Sequence, residues 1–487
     1  MKLSLCCRLI LFPVSMAIGC GGGGATNPDG GGMNALPATV HVVPGSDLAG
    51  ADGSLDHPFP ALYDAVGAIA TNTGWTGGLQ IHEGRHELLD EVIVSSRAAL
   101  EILPGAKFYL GPTASIHAQA DVNVHGTEAN PVLFTWLVAG THWKSFTNFE
   151  PTSQANVVEW AIFEHGGESE FNGSSMRGAL SIRQAGGRFS HDEFRFNEGD
   201  DGMNIRASNS IIENCYFHDN FNDALDSDTA ASVAGGKVEV RNSRFVANGN
   251  DGVDLGEGST AYVHDNTIWG NGDKGVSIGE TSFPTIEHNL IVACNTGIGI
   301  KDMSDPIITN NTIVGCNVGV YVYQGIQGRG SGKGTFKNGI IWGSIAADVA
   351  ITNVNADMSQ TAFSYSCIQS STYRTDLMTA GNAVPITGEG MLFSGGKGCD
   401  DPMFAAPGTI PPPMASVGQT FALGDFHLKS MAGRWDPATK AFVTDTATSP
   451  CIDKADQATG FDKEVAPNGG RADLGNYGGT AEASKTP

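Results

Sequence analysis

Basic residues are scarce in this chain: 28 Lys and Arg stand against 52 Asp and Glu, a formal net charge of −24. Such a surface repels nucleic acid and anionic lipid headgroups, which excludes both as primary partners. Among the nine cysteines there is no Cys-x-x-Cys, which argues against a zinc cluster. No Gly-x-x-x-x-Gly-Lys-[Ser/Thr] phosphate loop is present either. Regular leucine columns are missing, so a leucine-rich horseshoe does not fit. The apolar run Leu9 to Ile18 is too short to span a membrane.

What is present is a register. Between Phe189 and Val322 the residues Phe194, Phe217, Phe245, Ile268, Ile291 and Ile313 recur 22 to 28 positions apart. Three residues after them stand Asn197, Asn220, Asn248, Asn271, Cys294 and Cys316, and five before them Phe189, Ile212, Val240, Val263, Ile286 and Ile308. Columns that repeat turn by turn are what stacked short parallel strands require. After each turn a small residue opens an alternating stretch, as in Gly202-Met-Asn-Ile205, Ala224-Leu-Asp-Ser227 and Gly252-Val-Asp-Leu255, so one face points in and the other out. The expected fold is all-β, a right-handed parallel β-helix (solenoid) over residues 38–380 with an N-terminal capping helix. That helix, within Ala61 to Ala70, sets Leu62, Ala65, Val66 and Ile69 on one face, suited to covering the open apolar end. Over Val157 to Ile368 the chain resembles the pectin-lyase-like β-helix superfamily of secreted and surface proteins. Residues 381–487 are expected to form an irregular closing segment, and Ser449-Pro-Cys-Ile-Asp453 with Arg471 to Gly479 resembles the closing motif of such proteins.

The N-terminus carries Lys2, Arg8 and the apolar run, then Ala17-Ile18-Gly19-Cys20. It resembles a bacterial lipoprotein signal. The resemblance implies removal of residues 1–19, lipidation of Cys20, and a Gly-rich tether over 20–37. It implies an exported protein, held by its lipid anchor alone at the outer membrane or cell surface, with a polysaccharide or another cell-envelope component as partner. Loss of Lys2 and Arg8 leaves 26 basic against 52 acidic residues, a net charge of −26. Cys294 and Cys316 share one column at about 4.8 Å if stacked, compatible with a disulfide or with two thiols. In the tail, Cys399 with Cys451 is the expected disulfide, given an oxidising compartment.

Counted from the small residue that opens each outward strand, the column two further on holds Asn204, Asp226, Asp254 and Ser277. The column just before it holds Asp201, Asp223, Asp251 and Lys274. Stacked carboxylates repel unless protonated, strongly solvated or neutralised by a cation. An oxygen-only cluster suits a hard cation, Ca²⁺ before Mg²⁺. Turn chemistry accounts for the asparagines and for part of the aspartates, but less well for the in-strand Asp226 and Asp254. The Asp251-Gly-Val-Asp254 wording resembles calcium-dependent pectate lyases of the β-helix type, which implies Asp223, Asp226, Asp251 and Asp254 as calcium ligands and Lys274 as the base. A lysine there serves as a base only once a cation neutralises the acids around it. A second resemblance, to polygalacturonases, retains Asp223, Asp251 and Lys301 while Lys274 and Gly299 stand where that family carries histidine and arginine. A third alternative is a non-catalytic glycan-binding or structural protein of the cell envelope.

Overall fold

The computed structural model describes residues 35–151, 155–228, 237–352, 361–377, 382–413 and 422–487. The chain divides into residues 1–35 and 36–487, and the description concerns the second unit. The expected signal, Cys20 and nearly all of the tether lie outside the described residues. Among the described residues no helix is long and apolar enough to cross a membrane.

Short strands wind through three 13-stranded sheets, pairing in parallel with their equivalents one turn away, except that Ala383–Pro385 closes the second sheet antiparallel to Thr372–Arg374. The chain is a right-handed parallel β-solenoid. The first sheet begins with Thr39–Val42, the second with Val92–Val94 and the third with Gly84–Leu88. The repeat therefore starts well before Val157. Early turns carry the same inward positions with less regular corners, so pairing alone reveals them. The helix Leu62–Thr71 buries Leu62, Ala65 and Ile69, with Val66 at the margin of the same core. It packs on the opening strands of the first and second sheets, as a cap should.

The register is realised as side-chain stacks. Phe194 pairs with Phe217, Phe217 with Phe245, Phe245 with Ile268, Ile268 with Ile291 and Ile291 with Ile313. The aromatic part begins earlier: Phe108, Phe134, Phe163, Phe194, Phe217 and Phe245 form one column with neighbouring centroids 4.8, 4.7, 5.0, 4.6 and 4.9 Å apart. Burial of each ring contributes about 1.5–3 kcal/mol. At one corner the amides of Asn197, Asn220, Asn248 and Asn271 run head to tail at 2.9, 2.8 and 2.9 Å. Cys294 and Cys316 continue this column as buried thiols.

A second ladder, not read from the sequence, occupies the column two before the Phe/Ile anchors. Asn266 donates to Asn289 and Asn289 to Asn311, both at 3.0 Å. Its first member is Asp192, which is buried; its Oδ1 accepts the Ala161 N–H at 2.8 Å and its Oδ2 has no hydrogen-bond partner among the described residues. Burial pushes the carboxyl well above its ordinary range. An acid raised this way binds a proton in the folded chain that the unfolded chain has lost, so it lowers stability as pH rises. Asp192→Asn is expected to stabilise the protein at pH 7 by about 1 kcal/mol, with the gain vanishing near pH 4. Thermal melts at the two pH values test this, and an equal or lower midpoint at pH 7 refutes it.

The final strand of the third sheet, Leu392–Phe393, pairs with Cys367–Ile368, so the stack continues past residue 380. The closing segment then turns back along the outside of the third sheet. Phe404, Phe426, Leu428, Ile452 and Leu474 pack on Val246, Trp269, Leu290, Val292 and Ile340. The Cys399–Cys451 expectation is corrected here: Cys399 is bonded to Cys367. Cys367 lies on the strand to which Leu392–Phe393 adds, so the returning chain meets it first; Cys451 stays a buried thiol with its sulfur 3.5 Å from that of Cys399.

Candidate functional site

The outward face of the second sheet carries the acidic columns in the expected register. Asn204, Asp226, Asp254 and Ser277 are successive partners, and Asp201 pairs with Asp223. Beside them lies a further column, four after each small residue: Arg206, Asp228, Gly256, Gly279, Lys301 and Tyr323. Two glycines in its middle leave a depression between Arg206 and Asp228 at one end and Lys301 and Tyr323 at the other. The result is a groove of about 550 Å³. Its lining acids are Asp226, Asp228, Asp254, Glu257, Glu280 and Asp302, against the bases Arg177, Arg206 and Lys301.

The expected ligands separate. Oxygens of Asp223, Asp251 and Asp254 lie within 4.8 Å of one another. Asp226 stands apart from this trio: its Oδ2 accepts from the Asn204 amide at 2.9 Å, and the same amide donates to Asp201 at 2.9 Å. Asp223 and Asp251 are 8 % and 2 % exposed, beneath the groove, whereas Asp254 faces it. Asp223 Oδ1 accepts the Asp251 N–H and Asp251 Oδ1 the Lys274 N–H, each at 2.8 Å. Their second oxygens and both oxygens of Asp254 remain for a cation. The Ser277 hydroxyl, buried and without a hydrogen-bond partner among the described residues, stands next to Asp254 in its column. This oxygen-only set fits calcium, with water or substrate completing the six to eight ligands it takes.

Burial, with Asp251 and Asp254 adding repulsion, raises the Asp223 carboxyl to about 8. Burial also raises Asp251, to about 6, with Lys274 opposing. Asp226 is held well above its ordinary range by burial and then by Asp201 and Asp228. Asp228 rises to about 6 through burial and Glu257, against the pull of Arg206 3.4 Å away.

The two lysines differ. Lys274 is 7 % exposed; its Nζ is 3.4 Å from Asp251 and in contact with Asp273. Burial disfavours its charge, but Asp251, Tyr323 and Asp273 outweigh burial and raise its pKa. Lys274 as placed is therefore a fixed ammonium, unsuited to accept a proton. Lys301 lines the groove and makes no ion pair among the described residues. Both stems need glycine beside them: a Cβ on Gly299 would lie 2.7 Å from Lys274 Cδ, and one on Gly279 2.6 Å from Lys301 Cε.

Sequence reasoning missed Arg177, Arg206, Glu280 and Tyr323. The repeating column Arg206, Asp228, Lys301, Tyr323 was the available signal for two of them, Arg206 and Tyr323. Trp143 and Trp269 are buried, and Trp269 meets Phe426 of the closing segment. His218 and His264 are each clamped between an adjacent aspartate and a glutamate one turn back.

Fold and groove together define a parallel β-helix protein with a charged cleft on one flank. Residues 178–327, which carry that flank, match the family described as the right handed beta helix region. No curated protein sequence matches the chain. Among solved structures it is similar to a pectate lyase, Pel9A, at 12 % identity and a TM-score of 0.41, covering 91 % of this chain and 96 % of that one. It is also similar to the periplasmic alginate epimerase AlgG (12 %, 0.37, covering 65 % and 77 %) and to a rhamnogalacturonan lyase (12 %, 0.36, covering 68 % and 87 %).

Proposed function

We propose that the protein cleaves a uronate-containing polysaccharide by calcium-assisted β-elimination in this groove, with Lys301 as the base. The observation that carries the reading is the juxtaposition, on one rigid face, of a convergent trio of carboxylates with a groove-lining lysine that makes no ion pair among the described residues. Six acids against three bases in the lining repel an anionic polymer, so its binding calls for a cation. Calcium held by Asp223, Asp251 and Asp254 would neutralise the uronate carboxylate and so acidify the adjacent C–H. In its neutral form, Lys301 takes the proton α to that carboxylate. Arg177 and Arg206, at the far end, suit a neighbouring carboxylate, although Arg177 must be shared with Asp200, and Arg206 with Asp228 and Glu257. Lys274 holds Asp251 in place and supplies a fixed positive charge.

This assignment moves the base from Lys274 to Lys301 and the calcium ligands from four aspartates to three. Hydrolysis is less well supported, because Asp223 and Asp251 are covered and cannot flank a glycosidic bond. The test is the ultraviolet absorbance of the unsaturated product on polygalacturonate and alginate, with and without EDTA. Absorbance that grows and is abolished by EDTA is expected. Binding of these polymers without any product would instead establish the non-catalytic glycan-binding reading.

A further inference from the structure

β-Elimination needs two proton transfers, and Lys301 accounts for one. As the C–H proton leaves, the C4–O4 bond breaks and the departing oxygen must gain a proton. The groove offers few donors. Arg177 and Arg206 do not release protons in proteins. Lys274 is buried and tied to Asp251 and Asp273. Of the lining acids raised above their ordinary range, Asp226 is tied to the Asn204 amide and Asp228 is paired with Arg206.

Tyr323 is what remains. It follows Lys301 in the same outward column, the two residues being direct strand partners. It lines the groove and is half-buried, and its hydroxyl makes no hydrogen bond among the described residues. Its ring lies against Tyr321, with centroids 4.3 Å apart and planes at 17°, which fixes its direction. The charged and titratable neighbours acting on it are Lys274, Asp273, Asp251 and Tyr321. Burial, more than any of these, raises the phenol to about 12, with the Lys274 ammonium pulling the other way. The phenol therefore keeps its proton until a strong base is generated beside it, and the phenolate then formed faces a fixed cation.

Resting on the lyase reading above, we infer that Tyr323 is the catalytic acid, donating its phenolic proton to the leaving O4 while Lys301 removes the proton α to the uronate carboxylate. The C–H electron pair becomes the new C=C bond, and the C4–O4 pair leaves with the oxygen, which takes the Tyr323 proton. Lys301 ends protonated and Tyr323 ends as phenolate. Exchange with water restores both, and no oxidant or reductant is required.

The test uses the full-length protein and two substrates: polyuronate, and a uronide carrying a nitrophenyl ether at O4, whose leaving group needs no proton. Tyr323→Phe keeps the ring stack and is expected to lose about 100-fold in kcat or more on polyuronate with KM little changed, yet to stay within a few-fold of wild type on the ether. Lys301→Ala is expected to fail on both. In the wild type, a solvent deuterium isotope effect should appear on polyuronate and be absent on the ether, a readout that does not depend on any variant folding. Tyr323→Phe retaining full activity on polyuronate, or losing equally on both substrates, overturns the assignment while leaving the lyase reading intact. A wild type inert on both substrates overturns the lyase reading and this assignment with it.

Discussion

Millimolar calcium at pH 8 is expected to raise the thermal midpoint of the wild-type protein and to leave that of Asp251→Asn/Asp254→Asn unmoved. At a hundredfold excess over its dissociation constant, a ligand bound only by the folded state adds about 2.7 kcal/mol. The reason lies in the trio, whose oxygens come within 4.8 Å of one another under partial burial. Without a cation, protons do part of this work. Asp223 titrates at about 8 and Asp251 at about 6 in the folded chain. An unfolded aspartate titrates near ~3.9, so the folded chain holds extra protons between that value and these two. Stability in EDTA should therefore fall as pH rises from about 4 toward 6 and 8, and the double variant, which removes Asp251 and the repulsion on Asp223, should lose part of that slope. Below about pH 5.5 calcium must displace the protons, so its effect should shrink. Calorimetric melts at pH 5.5 and 8 decide the matter. An equal calcium shift at both pH values, or in the double variant, rules out a site at these carboxylates.

Replacing the two lysines is expected to give opposite phenotypes. Lys301→Ala should reduce turnover on polyuronate by about 10²–10⁴-fold with an unchanged melting midpoint, because the amine faces the groove and is free of ion pairs among the described residues. Lys274→Ala should instead destabilise the fold by about 3 kcal/mol at neutral pH, since it strands the buried Asp251 without its cation. The loss should lessen as pH falls through 6 and Asp251 takes up a proton. Steady-state kinetics and denaturant unfolding on both variants separate the roles. If Lys274→Ala abolishes activity at unchanged stability while Lys301→Ala is active, the base belongs to Lys274.

Much of this was legible in the chain because a solenoid writes its contacts at a nearly fixed spacing. Phe194 to Ile313 and Asn197 to Asn271 stack where their columns put them. The second amide ladder was equally regular, yet the residues opening its column, Asp192, Cys215 and Ser243, hide the asparagines that follow. The tail was not legible in the same way. Its partners lie far off in sequence, so neither its path along the third sheet nor the Cys367–Cys399 bond has a local signature. Within the site, the columns brought the aspartates together. They could not tell Asp226, turned toward Asn204, from Asp254, turned toward Asp251 and Asp223.

By itself the sequence determined the solenoid, its capping helix and the flank on which acids accumulate, because each depends on which residue type recurs at which offset. Tertiary structure alone decided which acids converge, which lysine reaches the groove and where the chain's end is pinned. Those outcomes depend on side-chain direction and burial: the two lysines, Lys274 under the surface and Lys301 at the groove, differ through the glycine each stem crosses and the carboxylates each one meets.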